Sequence, residues 1–370
     1  MSQTYPSNAL PKGTMIQEFR VEHVLGVGSF GIVYRARNIY FDEVVAIKEF
    51  LPSQLARRLD SSTVRPNSAE NRAVYEWGIK KFVNEAKLLW ELSQPTPHPS
   101  IICVSRFHEA NGTAYMVMDY EQGESLSDWL RRSNTLTQAE LERVLYPLLE
   151  GLERVHAKGV FHRDIKPPNI LIRPDGSPVL IDFGAARWES ASDDSSLVSI
   201  LTPEYAAPEQ SYAGGEIGPW TDVYALAATA YRAIAGNPPP PASERVLTGK
   251  YECARDMQTN GEYSSGFLDA VDSALELLPQ ERPPSAAAWR ELLQRKSAPA
   301  APRVHEATVV EARDDVHEQD SSLGQSITAR PSSSTAETEV HPSMAATQAS
   351  ALQAPTQPAL REPRTRPAQR

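Results

Sequence analysis

The first third of the chain alternates apolar and polar residues in short runs. Phe19, Val21 and Val24 precede a glycine-rich stretch, and two runs rich in β-branched residues follow it at 32–34 and 44–47. A period of two with β-branched residues is typical of strands, and glycine permits tight turns between them. We therefore predict antiparallel strands joined by tight turns over residues 18–48.

The next apolar pattern has the period of a helix. Over residues 78–93 the apolar side chains fall on one broad stripe. Prolines from Pro95 onward end the predicted helix. Residues 51–77 are charged and mixed, so we expect a loop and a short helix there. An Asn111-Gly112 turn then separates two apolar runs and predicts strands near 101–109 and 113–120. The residues of the helical stripe are Ile79, Phe82, Val83, Ala86, Leu89, Trp90 and Leu92.

Helical periodicity dominates the second half of the chain. Residues 141–156 are amphipathic, residues 223–235 are almost wholly apolar, and residues 267–278 and 286–293 complete the series. The pattern predicts an α+β fold in which a β-rich lobe at 18–119 precedes a helical lobe at 120–296. We expect a polar leader at 1–17 ahead of the first lobe.

The composition changes at Ser297. Residues 297–370 are rich in Ala, Pro, Ser, Thr and Gln and contain no aromatic residue. Such a segment cannot bury enough apolar surface to offset the entropy lost on ordering, so we expect a disordered tail.

Charge and cysteine content exclude several classes of protein. The net charge of −10 argues against a general nucleic-acid binder, which needs a broad basic surface. With only two cysteines, Cys103 and Cys253, a secreted disulfide framework is not expected. We find no signal peptide and no apolar run long enough to span a membrane, so we expect a cytoplasmic location.

One stretch carries most of the chemistry. Residues 162–169 read His-Arg-Asp-Ile-Lys-Pro-Pro-Asn, and Asp182-Phe183-Gly184 begins thirteen residues after Asn169. An aspartate such as Asp164 can orient a hydroxyl, and a lysine such as Lys166 can offset charge on a transferred phosphate. Oxygen atoms of Asn169 and Asp182 suit Mg²⁺ or Mn²⁺. The set predicts phosphoryl transfer between a magnesium nucleotide and a hydroxyl.

A second group lies in the first lobe. Gly26, Gly28 and Gly31 form a GxGxxG turn, and Lys48 follows at the end of an apolar strand, where an unpaired ammonium would be costly. Glycines let a turn approach phosphates closely. Glu85, on the helix at 78–93, is the candidate partner of Lys48, and Glu91, later on the same helix and in a less apolar context, is its competitor.

Together these motifs resemble the protein kinase family over residues 18–295, and in detail the bacterial eukaryotic-like serine/threonine kinases. The resemblance implies a bilobal kinase fold that transfers phosphate from ATP, with Mg²⁺, to serine or threonine of proteins. Lys166 and Thr202 are marks of that specificity. The resemblance also implies an adenine pocket with Met118 as gatekeeper and the backbone near Glu121 reading the adenine edge. The apolar walls of that pocket would be Leu25, Val33, Ala46 and Leu171.

The resemblance assigns further structural and regulatory roles. Asp222 would hold the catalytic loop, and Glu209 would pair with Arg282. In the family, the charge of an arginine at the position of Arg163 is balanced by a phosphate on the segment between residues 184 and 202. We therefore predict autophosphorylation in that segment. The acceptors that we expect are Ser195, Ser196 and Ser199.

Several questions stay open at the level of sequence. Threonines near acidic residues in the tail, such as Thr308, Thr335 and Thr338, could recruit a phosphothreonine-reading partner, although a passive linker is favoured. A nucleotide-binding scaffold without catalysis is a second reading of the whole chain, and a small-molecule phosphotransferase is a third. The scaffold reading is disfavoured because Lys48, Asp164 and Asp182 are all present. The small-molecule reading is disfavoured because residues 202–205 and 207–209 resemble a platform for a protein substrate.

Overall fold

The computed structural model describes residues 5–183, 202–212, 214–257 and 263–295. A six-stranded antiparallel sheet forms most of the first lobe. Its strands are β1 (Met15–Ile16), β2 (Phe19–Gly28), β3 (Gly31–Asn38), β4 (Val44–Phe50), β7 (Val104–Ala110) and β8 (Thr113–Asp119). Their order across the sheet is β1-β2-β3-β4-β8-β7. The strands predicted over 18–48 and around Asn111-Gly112 are therefore present.

One long helix, α1 (Glu70–Leu92), packs against this sheet. It begins eight residues before the predicted start at residue 78, and Phe82, Val83 and Ala86 of the predicted stripe are buried. Trp90 does not follow the prediction, because it is 43% exposed.

Residues 51–69 correct the expectation of a loop and a short helix. They contain a hairpin of β5 (Ala56–Arg58) and β6 (Val64–Pro66). The backbone N–H of Val64 donates to the carbonyl of Asn111 at 2.8 Å, which fixes the hairpin to the β7–β8 turn. The prediction failed here because three-residue strands show too little periodicity to be recognised.

A buried ion pair joins this hairpin to the sheet. Glu49 on β4 is completely buried, and its Oε2 accepts a hydrogen bond from the Tyr34 hydroxyl at 2.7 Å and pairs with Arg58. The Tyr34 hydroxyl also accepts from the backbone N–H of Leu10 at 3.0 Å, and Leu10 is completely buried. The segment assigned to a leader thus contacts the lobe through Asn8, whose carbonyl accepts from Arg58, and through Leu10.

The second lobe is helical, as the sequence predicted. Its helices are α2 (Leu126–Ser133), α3 (Gln138–His156), α4 (Pro219–Ala235), α5 (Ala242–Thr248), α6 (Ser265–Ala274) and α7 (Ala286–Gln294). Helix α3 begins with a capping box between Thr137 and Glu140, and α4 is buried along nearly its whole length. Among the described residues, no helix is both long enough and apolar enough to cross a membrane.

A small three-stranded sheet positions the two loops that contain residues 162–169 and 181–183. It consists of β9 (Glu124–Ser125), β10 (Ile170–Ile172) and β11 (Pro178–Leu180) in the order β11-β10-β9. A parallel bridge between Ile101 and Leu180 links it to the chain that enters β7. The residues before β10 and after β11 therefore meet at one edge, beneath the first lobe.

Candidate active site

The loop before β10 is held from below by Asp222, which is completely buried on α4. Its carboxylate accepts the backbone N–H groups of His162 at 2.9 Å and Arg163 at 2.8 Å, and it lies 2.8 Å from Nε2 of His156. Burial alone would raise the pKa of Asp222, but the contact with His156 and these hydrogen bonds hold it below its usual value. Asp222 thus fixes the loop that carries the candidate base.

Two residues next to the chemistry adopt a left-handed backbone. Arg163 has φ of 66° and Asp182 has φ of 57°, a region that side chains other than glycine rarely adopt. The backbone of Arg163 is held at both ends of the residue. Its N–H donates to Asp222, and its carbonyl oxygen accepts a hydrogen bond from Gln210 Nε2 at 2.8 Å. Strain of this kind persists where surrounding contacts determine the backbone, which is common in active sites.

Four predicted side chains, those of Asp164, Lys166, Asn169 and Thr202, form one connected cluster. Lys166 Nζ lies 2.9 Å from Asp164 Oδ2 and donates to Thr202 Oγ1 at 3.0 Å. The Asn169 side-chain amide donates to the carbonyl of Asp164 at 2.8 Å and to its Oδ2 at 2.9 Å. These contacts orient the carboxylate of Asp164 and place a positive charge beside it.

The loop after β11 is tied to the same cluster. The backbone N–H of Ile181 donates to the carbonyl of Asn169 at 2.9 Å, and Nε2 of the buried His162 lies 2.9 Å from the carbonyl of Ile181. The His162 ring also packs on Phe183 with centroids 4.5 Å apart. Burial lowers the pKa of His162, which favours the neutral ring. His162 and His156 are positioning residues whose roles the sequence does not reveal, since a lone histidine signals no partner.

Lys48 pairs with Asp182 rather than with its predicted partner. The two are joined by a contact of 3.1 Å from Nζ to Oδ1. Across the residues that the structure describes, Glu85 does not come within ion-pair distance of Lys48, although it lies close enough for its charge to raise the pKa of Lys48. Burial raises the pKa of Glu85 to about 8, while the charge of Lys48 opposes that shift. The Lys48–Glu85 pair is therefore not formed in this conformation.

The glycines of the β2–β3 turn differ in what their missing side chains allow. A Cβ on Gly31 would overlap the carbonyl oxygen of Glu49, so packing alone requires glycine there. A Cβ on Gly26 would meet nothing within 4 Å, and one on Gly28 would meet only the carbonyl of Gly31 at 3.8 Å. The protein leaves the space beside these two glycines open, which suits close approach of phosphate oxygens.

The predicted adenine pocket lies on one face of the large sheet. Val33 pairs with Lys48 across β3 and β4, and Ala46, two residues from Lys48, pairs with Met118 across β4 and β8. Directly paired residues and residues two apart share a face of a sheet. Apolar walls and the lysine therefore face the same side of the cleft.

Three other residues predicted for this pocket lie around it in different ways. Leu25 on β2 is 42% exposed, and Leu171 on β10 is half-buried. The Glu121 carboxylate is held by Arg173 through two contacts of 2.7 Å, which leaves its backbone as the part that could bind a ligand.

The remaining predicted residues are structural or lie outside the described part. Glu209 and Arg282 form a buried bidentate pair at 2.9 and 3.0 Å, and Thr221 donates to the same carboxylate at 2.8 Å. The predicted phosphorylation sites Ser195, Ser196 and Ser199 fall in 184–201, outside the described residues.

The oxygen donors at this site suit Mg²⁺ in part. Asp182 offers a carboxylate, and Asn169 offers an amide oxygen. Over the described ranges, no cluster of three or more His, Cys, Asp and Glu residues could hold a metal ion by itself. Mg²⁺ commonly takes one or two protein ligands together with substrate phosphates, so the residues present fit a metal that arrives with a nucleotide.

Comparisons with known proteins agree with this geometry. Residues 19–296 match the model of the protein kinase domain. The chain is 29% identical to the serine/threonine-protein kinase pkn3 of Myxococcus xanthus, covering 78% of this chain and 53% of that protein. It is 30% identical to PknA of Nostoc, covering 75% and 47% respectively. The chain thus spans about half the length of these relatives.

A solved structure, the apo form of PpkA-294, is 36% identical with a TM-score of 0.70, covering 78% of this chain and all of that one. The predicted α+β, bilobal fold is thereby confirmed, with a β-sheet lobe ahead of a helical lobe. The chain belongs to the protein kinase family, and its residues 19–296 form a serine/threonine protein kinase domain.

Proposed function

We propose that the whole chain transfers the γ-phosphoryl group of ATP, with Mg²⁺, to serine or threonine hydroxyls of proteins, including its own. The cluster of Asp164, Lys166, Asn169 and Thr202, which faces the Lys48–Asp182 pair, is the observation that carries this proposal. It supplies an acceptor for a hydroxyl proton and two cations for phosphate oxygens within one cleft.

Each side chain has a distinct part in this proposal. Asp164 accepts a hydrogen bond from the substrate hydroxyl and orients it, because Asn169 fixes the position of its carboxylate. Lys166, held by Thr202, offsets negative charge as it develops on the transferred group. Asn169 and Asp182 would hold Mg²⁺, which would neutralise phosphate oxygens of the nucleotide that supplies the phosphoryl group.

We expect Lys48 to change its partner from Asp182 to Glu85 when a nucleotide binds. In this conformation Lys48 neutralises Asp182, the residue that would bind the metal. If Asp182 held the metal instead, Lys48 would be available to bind a phosphate oxygen and Glu85. The half-buried Glu85 is already close enough to raise the pKa of Lys48.

The central test is transfer of labelled phosphate from ATP and Mg²⁺ to casein by the full chain. Asp164→Asn should lower the rate by about 10²–10⁴-fold, the contribution typical of a positioned base. Asp175→Asn is the matched control, because Asp175 lies in the exposed turn between β10 and β11. Equal rates for wild type and Asp164→Asn would refute the proposal.

Autophosphorylation is proposed at one or more of Ser195, Ser196 and Ser199, and Arg163 is the group whose charge the phosphate would balance. Alanine at all three serines should remove the mobility shift that follows incubation with ATP and should lower activity. Unchanged mobility and unchanged activity would contradict this part of the proposal. Mapping of phosphopeptides would also show whether Thr308, Thr335 or Thr338 of the tail is modified, as recruitment of a phosphothreonine-reading partner requires.

A further inference from the structure

A cavity of about 310 Å³ lies beside the candidate base. Two of its lining residues, Lys166 and Thr202, are hydrogen-bonded to each other, and Lys166 Nζ lies 2.9 Å from Asp164 Oδ2. The cavity therefore begins one side chain away from the place where a substrate hydroxyl would bind. Its lining residues are Ser127, Leu130, Lys166, Pro167, Pro168, Thr202, Tyr205 and Arg232.

The charges in this lining have one sign. Lys166 and Arg232 are cations, and none of the lining residues is acidic. The charge of Lys166 is already balanced by Asp164. Arg232, in contrast, has no carboxylate within ion-pair distance among the described residues. Within the described residues, the wall of the cavity thus contains a positive charge that is not paired with a carboxylate.

The Arg232 side chain is held in place. It projects from α4 and is half-buried, and its Nη1 donates to the carbonyl of Asn134 at 2.8 Å. A guanidinium group has five N–H donors, so most of them stay available to a ligand after this single contact. A planar guanidinium that is anchored in this way matches the two oxygens of a carboxylate.

Hydroxyl groups complete the polar part of the wall. Burial raises the pKa of Tyr205 to about 12, even though the charge of Arg232 opposes the shift. Its hydroxyl is therefore protonated at neutral pH and can donate a hydrogen bond to an anion. Thr202 and Ser127 offer further hydroxyls.

We propose that this cavity is a substrate subsite that binds an acidic side chain, aspartate or glutamate, within a few residues of the phosphorylated serine or threonine, and that Arg232 determines this specificity. The inference rests on the proposed protein kinase activity. The spacing follows because an extended peptide advances about 3.3 Å per residue and the cavity adjoins the base. A substrate lysine or arginine there would face Arg232 and be disfavoured.

The test uses the full chain, ATP, Mg²⁺ and synthetic peptides with one serine. Glutamate, alanine or lysine is placed in turn at each of the nearest positions on both sides of that serine. For wild type we expect kcat/KM to be about tenfold higher with glutamate than with lysine at one position, and nearly equal at the others. A local preference of this kind separates a subsite from the general field of the protein, which acts on all positions.

Three variants assign the preference to its residue. Arg232→Gln keeps a donor for Asn134 but removes the charge, and should reduce the ratio to about two or less. Arg232→Glu should invert the ratio. Arg131→Gln is the control, because Arg131 is an exposed arginine on α2 that pairs with Asp128, and it should leave the ratio unchanged.

The outcomes separate this inference from the activity on which it rests. If wild type phosphorylates none of the peptides and no protein, the proposed function fails. If wild type phosphorylates the peptides without preferring glutamate at any position, the subsite alone is overturned, whether or not the variants fold. A preference that persists in Arg232→Gln, with melting temperature and secondary structure unchanged, would overturn the role of Arg232.

Discussion

Replacing Arg58 by methionine removes the positive partner of a buried carboxylate in the first lobe. The side chains of Arg58 and Glu49 are 3% and 0% exposed. Besides its contact with Glu49, Arg58 donates from Nε to the carbonyl of Asn8 at 2.9 Å and from Nη1 to that of Ser62. Methionine preserves most of the apolar stem, so the substitution removes charge and donors with little loss of packing.

The size of the effect follows from this burial. Removal of one partner leaves Glu49 as an uncompensated charge without access to water, which costs about 3–5 kcal/mol. We therefore expect the free energy of unfolding to fall by about 3–5 kcal/mol. At about 2–4 °C per kcal/mol for a domain of this size, the melting temperature should fall by about 6–20 °C.

Urea unfolding followed by tryptophan fluorescence measures the loss, with the melting temperature as a second readout. Arg57→Met is the matched control, because Arg57 precedes Arg58 on the same strand and is exposed. It should change stability by no more than about 0.5 kcal/mol. The double variant Glu49→Gln/Arg58→Met removes the unpaired charge and keeps an acceptor for Tyr34, so it should regain about 2 kcal/mol or more.

Either of two results would refute this reasoning. Arg58→Met could match Arg57→Met, which would mean that water reaches the carboxylate. Alternatively, the double variant could be no more stable than Arg58→Met, which would mean that the lost stability came from the hairpin contacts and not from the charge of Glu49.

Two further predictions concern the cleft. The pKa of Glu85 is about 8 in the folded protein and near 4.3 in the unfolded chain, so the folded state favours the protonated carboxyl. Its contribution to the free energy of unfolding is therefore fully present below pH 4.3 and is lost as the pH rises towards 8. The stability of wild type should thus fall relative to Glu85→Gln by up to about 1.4 kcal/mol per pH unit over that window, and parallel curves in urea unfolding would contradict this. Gly31→Ala should unfold the first lobe or destabilise it by several kcal/mol because its Cβ meets the Glu49 carbonyl, whereas Gly26→Ala should keep its melting temperature and raise KM for ATP. A drop in melting temperature for Gly26→Ala as large as that for Gly31→Ala would show that both glycines serve packing.

The sequence by itself determined the elements and most of the chemical groups. Strand and helix periods depend on neighbouring residues, so the long elements could be predicted, whereas the short hairpin at 56–66 could not. The spacing of Asp164, Lys166 and Asn169 fixed their proximity, because residues this close in sequence on one loop cannot lie far apart. The Glu209–Arg282 pair, which was predicted from resemblance, is also formed.

Only the tertiary structure decided which of several possible partners each charge takes. Lys48 contacts Asp182 and not Glu85, because the position of α1 and the left-handed backbone of Asp182 set those distances. Arg58 reaches Glu49 through a hairpin that no pattern predicted. Arg232 enters the wall beside Lys166 because α4 packs beneath the catalytic loop. Such contacts join residues far apart in the chain, and their geometry depends on how whole elements pack, which local patterns do not contain.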